Sequence, residues 1–341
     1  MRPIKVLVVD DSVFFRKLLS QTLDQDKDIQ VVATAADPYQ ARDMILMFEP
    51  DVMTLDVEMP RMNGIQFLKK LMPQHPIPTV MISSLNSAVF DAMANGAVDF
   101  VDKPQGAGVD EMKKWIEDEL VSKIKIASTV KVGKYKLSAG HTVNSTGRTY
   151  KNKIVAIGAS TGGTEAIYNV VKNFNIDIPG TVIVQHMPPG FTKMYAERLN
   201  NQCRVTVKEA ENGDLVERGK VLIAPGDKHM RLVKQGGIYR VECKEGEKVS
   251  GHCPSVDVLF QSVASSAASD AVGVILTGMG GDGAKGLLKM RKAGAHTIGE
   301  AEQSCVVYGM PKVAYDIGAV EYQVSLENIA SKVYNILNSM P

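Results

Sequence analysis

From Lys5 to about position 126 the apolar positions switch repeatedly between short unbroken runs and helical spacing. Lys5-Val-Leu-Val-Val9 is a continuous apolar run, the form a parallel strand takes when both faces are covered. Ser12 to Leu23 then sets Phe14, Leu18 and Leu19 on one helical side. The strand signal returns at 29–33, 51–56, 79–83 and 97–102. The helical signal returns at 37–48, 65–72, 89–94 and 110–126. Asp37-Pro38 opens the second helix with an N-cap and a proline at the first helical position.

The alternation resumes after Lys153. Strands are predicted at 154–157, 181–185, 204–207, 220–223 and 271–276, with helices at 164–173, 255–266 and 283–293. Met230 to Val233 and Ile238 to Glu242, joined through Gly236-Gly237, read as a hairpin. The pattern predicts two doubly wound α/β domains. The first, 1–122, is a five-stranded parallel domain. The second, 151–341, is a mostly parallel Rossmann-like sheet with an antiparallel hairpin. Positions 123–150 are rich in Gly, Ser, Thr and Lys and read as a connector that lets the domains change relative position.

Composition narrows the function classes. A chain of 341 residues suits two domains of ordinary size. The net charge of +1 is spread along the chain, which argues against nucleic acid or a membrane surface as partner. No apolar run has the length of a membrane span, and Asp10-Asp11 cuts short any signal-peptide reading of the N-terminus. Cys203, Cys243, Cys253 and Cys305 have no zinc spacing and are expected as reduced thiols. A monomer in the cytoplasm is the expectation.

Doubly wound sheets place their sites at the C-terminal ends of the strands. Asp10 and Asp11 end the first strand and Asp56 the third. Three carboxylates so placed repel one another unless a cation sits among them, which points to Mg²⁺. Ser83 and Lys103 end the fourth and fifth strands, where a hydroxyl and an ammonium can hold a phosphoryl group. Any one such acid is an ordinary turn former; five residues placed this way are poorly explained by chance.

These residues, with Asp56-Val-Glu-Met-Pro-Arg-Met-Asn-Gly64, Ile82-Ser-Ser84 and Lys103-Pro104, resemble a response-regulator receiver domain. The resemblance implies that Asp56 accepts phosphate from a histidine kinase. It implies that Asp10, Asp11, Asp56 and the carbonyl of Glu58 hold Mg²⁺, that Ser83 and Lys103 sense the phosphoryl group, and that Phe100 is an aromatic switch. Asn63 stands where Asp is common, in a turn that bears on none of these roles.

In the second domain Ile154-Val-Ala-Ile-Gly-Ala-Ser-Thr-Gly-Gly163 is a buried strand running into a glycine turn. Ser160 at that bend sits above the sheet beside free helix N-terminal N–H groups, a place for a nucleophile or for a bound phosphate. His186 and Asp282 follow two other strands, and a serine nucleophile needs such a base and orienting acid. The order Ser, His, Asp differs from the Ser, Asp, His of the common G-x-S-x-G hydrolase fold, although Gly158-Ala-Ser-Thr-Gly162 matches that short motif. The backbone around Thr161 and Met279 can donate to an oxyanion. The bland readings are a structural histidine before Pro-Pro and an N-capping Asp282. A dinucleotide site would want G-x-G-x-x-G and an acid after the second strand, and a P-loop a lysine; none is present.

Gly158-Ala-Ser-Thr-Gly-Gly-Thr-Glu-Ala166, Gln185-His-Met-Pro-Pro-Gly-Phe-Thr192, Ala224-Pro-Gly-Asp-Lys-His-Met230, Pro254-Ser-Val-Asp-Val-Leu-Phe260, Thr277-Gly-Met-Gly-Gly-Asp-Gly283 and Ser304-Cys-Val-Val-Tyr-Gly-Met-Pro311 resemble the chemotaxis-specific protein-glutamate methylesterases. That family carries a receiver before this domain. It hydrolyses γ-glutamyl methyl esters on chemoreceptors, releasing methanol, and deamidates certain receptor glutamines. The resemblance implies Ser160 as nucleophile, His186 as base, Asp282 as orienter, and Thr161 and Met279 at the oxyanion and substrate site, with no cofactor in this domain. Cys253 replaces the family's usual Arg, with a consequence for substrate preference if that Arg meets the acidic receptor; Gly281 replaces a common Asn without evident effect. The expected control is a resting receiver over the active-site face, loosened by phosphate at Asp56. The rival classes are a receptor-binding scaffold without esterase activity and a regulator with a nucleotide- or DNA-binding output. His141, His229 and His252 are assigned no chemistry.

Overall fold

The structure is a computed structural model describing residues 2–84, 88–130, 132 and 150–341. The chain divides into two compact units, Met1–Lys136 and Leu137–Pro341. Most of the expected connector, His141 included, lies outside the described residues. No helix among the described residues is long and apolar enough to cross a membrane.

The first unit runs β1 (Ile4–Val9), α1 (Val13–Leu23), β2 (Ile29–Ala35), α2 (Pro38–Phe48), β3 (Val52–Asp56), α3 (Gly64–Leu71), β4 (Thr79–Ser83), α4 (Val89–Ala94), β5 (Asp99–Asp102), α5 (Val109–Trp115) and α6 (Val121–Ala127). The five strands pair in parallel in the order β2-β1-β3-β4-β5. The chain leaves β1 toward one edge and later starts β3 on its other side, so the order reverses between β1 and β3. A crevice opens at such a point, above the strand ends. The register Val9↔Leu55 brings Asp10 and Asp56 to neighbouring strand ends there.

The last helix differs from the uniform one expected over 110–126. A π-helical turn, Ile116–Leu120, joins α5 to α6. Ile116, Leu120 and Ile124 are buried at intervals of four. Steps of four overshoot an α-helical face by about 40°, and one wider turn takes up that drift. The helix runs on to Ala127, also buried, past position 122 where the connector was expected to begin.

The second unit runs β6 (Ile154–Ala159), α7 (Gly163–Val171), β7 (Gly180–Gln185), α8 (Phe191–Gln202), β8 (Thr206–Glu209), β9 (Lys220–Ile223), β10 (His229–Gln235), β11 (Ile238–Lys244), α9 (Val256–Ser266), β12 (Ala271–Ile275), α10 (Ala284–Lys292), β13 (His296–Glu300), α11 (Met310–Asp316), β14 (Tyr322–Val324) and α12 (Leu326–Ser339). Seven strands form one parallel sheet, β14-β13-β12-β6-β7-β9-β8. The hairpin β10-β11 is a separate two-stranded sheet. The strand expected at 204–207 starts two residues later, at Thr206, whose N–H bonds to Gly219.

Beneath the site the core joins Ala156, Val182, Val184, Leu222 and Ile275 of the sheet to Val256, Leu259 and Phe260 of α9 and Leu287 of α10. The approach of α9 to the sheet depends on Gly158. A Cβ there would lie 2.1 Å from Val256 Cγ1. The N-termini of α9 and α10 thus reach the same sheet edge as the ends of β6, β7 and β12.

Candidate active site

The strand order of the large sheet reverses at β6. The chain passes from β6 to β7, goes out to the edge strand β8 and back to β9 between β7 and β8, then returns to β12 on the other side. Ser160 follows β6, His186 follows β7, and the 277–283 turn follows β12. Ala159 pairs with Gln185, so Ser160 and His186 are the next residues on two hydrogen-bonded neighbours. Gln185 ties them further: its amide Nε2 donates to the carbonyls of Ser160 at 3.0 Å and His186 at 3.1 Å. From the other side Ser160 N–H donates to the Thr277 carbonyl at 3.0 Å. Gly278 lets that turn come close, since a Cβ there would lie 2.7 Å from Ser160 Cβ and 2.3 Å from Met310 Sδ.

His186 Nε2 lies 2.8 Å from Asp282 Oδ2. Asp282 takes three more hydrogen bonds: from Ser255 Oγ at 2.8 Å, Val256 N–H at 2.7 Å and Asp257 N–H at 3.0 Å. The carboxylate therefore sits on the N-terminus of α9, where free N–H groups and the helix dipole favour an anion. It does not cap its own helix, which begins behind Gly283. Burial alone would push the Asp282 carboxyl up; His186, the Ser255 hydroxyl and the α9 amides hold it below the usual range. An ionised Asp282 makes Nε2 the protonated nitrogen of neutral His186. Nδ1 then carries the lone pair, and it is buried with no hydrogen-bond partner among the described residues. Nδ1 is the nitrogen available as a base.

Thr161 is buried directly after the serine, and its carbonyl accepts the Thr277 hydroxyl at 3.0 Å. Met279 stands 49% exposed in the turn after β12, an apolar side chain at the rim of the site. Two residues without a sequence signal join the site. The ring of His252 stacks on that of His186, with centroids 3.7 Å apart and planes 15° from parallel. Glu300, fully buried at the end of β13, accepts the Thr277 N–H at 2.8 Å. Burial pushes its carboxyl up to about 7. Both are remote in sequence from the serine turn: the order of the sheet brings Glu300 near, and the loop between β11 and α9 brings His252. Cys253, next to His252, is partly exposed.

The first unit gathers the other predicted residues. Ligand oxygens of Asp10, Asp11 and Asp56 lie within 4.8 Å of one another. Lys103 Nζ lies 2.9 Å from Asp10 Oδ2 and 3.4 Å from Asp56 Oδ2. Burial raises the Asp56 carboxyl to about 7; Lys103 opposes the rise and Asp10 adds to it. One ammonium thus leaves the cluster short of positive charge, and hard carboxylate oxygens at this spacing suit a divalent cation such as Mg²⁺. Glu58 follows closely, its N–H on Asp56 Oδ1 at 3.3 Å. Ser83 is buried with its hydroxyl on the Ser84 carbonyl at 2.7 Å. Phe100 is buried edge-on to Phe90, with ring centroids 6.1 Å apart.

Residues 155–333 match the family described as CheB methylesterase, and residues 6–117 match the response regulator receiver domain. A protein of Syntrophomonas wolfei subsp. wolfei, named protein-glutamate methylesterase/protein-glutamine glutaminase 2, is 58% identical over 340 residues and is covered over 99% of its length, with 100% of this chain. A protein-glutamate methylesterase/protein-glutamine glutaminase of Sulfurimonas denitrificans is 50% identical, covering 98% of this chain and 99% of its own. The solved catalytic domain of the Thermotoga maritima CheB methylesterase is 41% identical with a TM-score of 0.52, covering 55% of this chain and 97% of that one. Matched in both parts by family and over its whole length by these relatives, the chain belongs to the receiver-linked CheB methylesterases.

Proposed function

We propose that the chain is a phosphorylation-activated serine hydrolase that removes methyl esters from chemoreceptor glutamates and deamidates receptor glutamines. The observation that carries this reading is the His186–Asp282 pair at 2.8 Å, set on the strand end beside Ser160. A phosphate site would have no use for a buried imidazole anchored on a buried carboxylate. The relatives named above carry both activities in their names.

Ser160 Oγ attacks the ester carbonyl while His186 Nδ1 takes its proton. The imidazolium formed is stabilised by Asp282 across Nε2. The oxyanion is received by the backbone around Thr161 and Met279. His186 then gives its proton to the departing methoxide, and methanol leaves an acyl-enzyme on Ser160. Water, deprotonated by His186, attacks that acyl group and releases the glutamate carboxylate and the serine hydroxyl. A glutamine follows the same course with ammonia leaving. The half-exposed Met279 gives the rim an apolar contact for the stem of the substrate side chain.

In the receiver, Asp56 accepts a phosphoryl group from a kinase, with Ser83 and Lys103 as its sensors. Asp10, Asp11, Asp56 and the Glu58 carbonyl would hold Mg²⁺, which when bound neutralises the carboxylates and orients the phosphoryl oxygens. We place the protein in the cytoplasm, with a chemotaxis histidine kinase and chemoreceptors as partners. Phosphate at Asp56 shifts the balance between a restrained and a released catalytic unit.

The test is methanol release from methylated chemoreceptor membranes, with and without Mg²⁺ and a small phosphodonor. Release that rises with phosphodonor, and that Ser160→Ala abolishes, is expected. Absence of release from folded protein would overturn the esterase reading. A chain starting near Thr149 is expected to outpace the resting full chain, and equal rates would remove restraint by the receiver.

A further inference from the structure

We propose that His252 is a positioning residue for the base, fixing the plane of the His186 ring so that Nδ1 faces the serine. The inference rests on the reading of His186 as general base and adds a residue to it.

His186 has one side-chain hydrogen bond among the described residues, from Nε2 to Asp282. Nε2 lies close to the Cβ–Cγ axis, so that bond resists tilting of the ring better than twisting about the axis. Twisting matters most for catalysis. The Nδ1 lone pair lies in the ring plane, and proton transfer needs that plane turned to the serine hydroxyl. A flat partner against one ring face opposes the twist. His252 is that partner, with centroids 3.7 Å apart and planes within 15°.

The segment carrying His252 is held for the task. Val249 N–H and His252 N–H each donate to the other's carbonyl at 3.0 Å. They close a two-residue turn through Ser250 (φ 53°) and Gly251 (φ 84°), both left-handed as such a tight hairpin requires. Buried His229 joins the shoulders of the loop. Its Nε2 lies 2.8 Å from the Glu247 carbonyl, and its Nδ1 accepts Ser255 N–H at 3.2 Å. Ser255 then starts α9, whose first amides hold Asp282. One stretch, 247–257, thus supplies the stacking partner of His186 and the donors that fix its acid partner.

The test uses the phosphorylated full chain with His252→Ala and His252→Phe, each checked for folding by circular dichroism. Two rates are read: methanol release from methylated receptors and labelling of Ser160 by a fluorophosphonate, which needs no receptor. Loss of the stack lowers kcat and the labelling rate about tenfold in His252→Ala. KM stays where it is, and the planar ring of His252→Phe restores most of the rate. Wild-type rates in His252→Ala overturn the proposal. So does equal loss in both variants, which would mark a polar or proton-carrying role, or a rise in KM alone, which would mark a substrate contact. Ser160→Ala in parallel separates the two readings. Retained turnover there overturns the triad and the stack together, whereas turnover lost there but normal in His252→Ala overturns the stack alone.

Discussion

Glu300 lies fully buried behind the serine turn, and its carboxyl accepts the N–H of Thr277 at 2.8 Å. Thr277 in turn accepts the Ser160 N–H on its carbonyl at 3.0 Å, and its hydroxyl bonds to Thr161. An ionisable group therefore stands two hydrogen bonds from Ser160, the proposed nucleophile. Burial holds that group up at about 7, against an ordinary value of 4.5. A raised carboxyl contributes stability that is complete below pH 4.5. That contribution is lost as pH rises toward 7, because the unfolded chain ionises first. The gap corresponds to about 3 kcal/mol. Glu300→Gln keeps an acceptor for Thr277 and abolishes the titration. Urea unfolding of the full chain should show the wild type losing stability relative to Glu300→Gln between pH 4.5 and 7. Parallel curves would mean that Glu300 ionises normally.

Gly278 sets how closely the turn after β12 approaches the serine. A Cβ at this position meets Met310 Sδ at 2.3 Å and Ser160 Cβ at 2.7 Å. Met310 is a flexible side chain and can yield, but the new Cβ would also press on Ser160 itself, 3.1 Å from its backbone N, and only a shift of the serine turn relieves that. Gly278→Ala should therefore displace Ser160 more than it unfolds the domain. Hydrolysis is expected to fall about a hundredfold, the scale of a misplacement near 1 Å. The melting temperature should fall by only a few degrees, for a loss of about 1–2 kcal/mol. Calorimetry beside methanol release checks both.

The contrast between these residues and the predicted ones shows what a sequence reveals. Asp10, Asp56, Ser160 and His186 directly follow or end strands with clear apolar runs, so a rule about strand ends found them. Asp282 was found for the right position with the wrong local duty in the bland reading: its partners are amides of α9, 25 and 26 residues back in the chain, and not those of its own helix. Glu300 and His252 gave no signal, because each reaches the site through a contact set by sheet order or loop closure. The π turn in the last receiver helix was hidden for a similar reason. Spacing of four is compatible with a plain helix until packing demands that Ile116, Leu120 and Ile124 all stay buried.

Asp282 has donors on every side: Ser255 Oγ, two α9 amides and His186 Nε2. Asp282→Asn keeps the shape but must turn an NH₂ toward one of these donors. The wrong imidazole tautomer follows, with Nδ1 protonated and unable to take the serine proton. A kcat loss of about 10⁴-fold is expected. Stability falls as well, by about 1–3 kcal/mol for the unsatisfied buried donors. The wild-type carboxyl is held below its usual range, so its contribution is present above pH 3.8 and is lost as pH falls further through the folded value. Asp282→Asn should remove that acid-side loss of stability, read by thermal melts from pH 6 down to 3.

Lys103 and Asp10 bear in opposite directions on a cation at the receiver cluster. Lys103 Nζ is 2.9 Å from Asp10 Oδ2 and supplies positive charge to carboxylates that would hold Mg²⁺. Removing that charge leaves three carboxylates less compensated, so Lys103→Met should bind Mg²⁺ more tightly, by several-fold to tenfold after solvent screening. Asp10→Asn should weaken it by a similar factor or more. The chain carries a single tryptophan, Trp115, whose ring lies 6.3 Å from that of Phe15, and Lys103 Nζ sits 4.0 Å over Phe15. Tryptophan fluorescence can therefore follow the titration from within the receiver. Weaker binding in Lys103→Met would mean that the lysine organises the cation site rather than competing with it. Lys103→Met should still take phosphate at Asp56 from a small phosphodonor. If Lys103 is the sensor proposed above, the variant's methanol release should fail to rise in response. Tight Mg²⁺ binding with normal activation would transfer the sensing role to Ser83 alone.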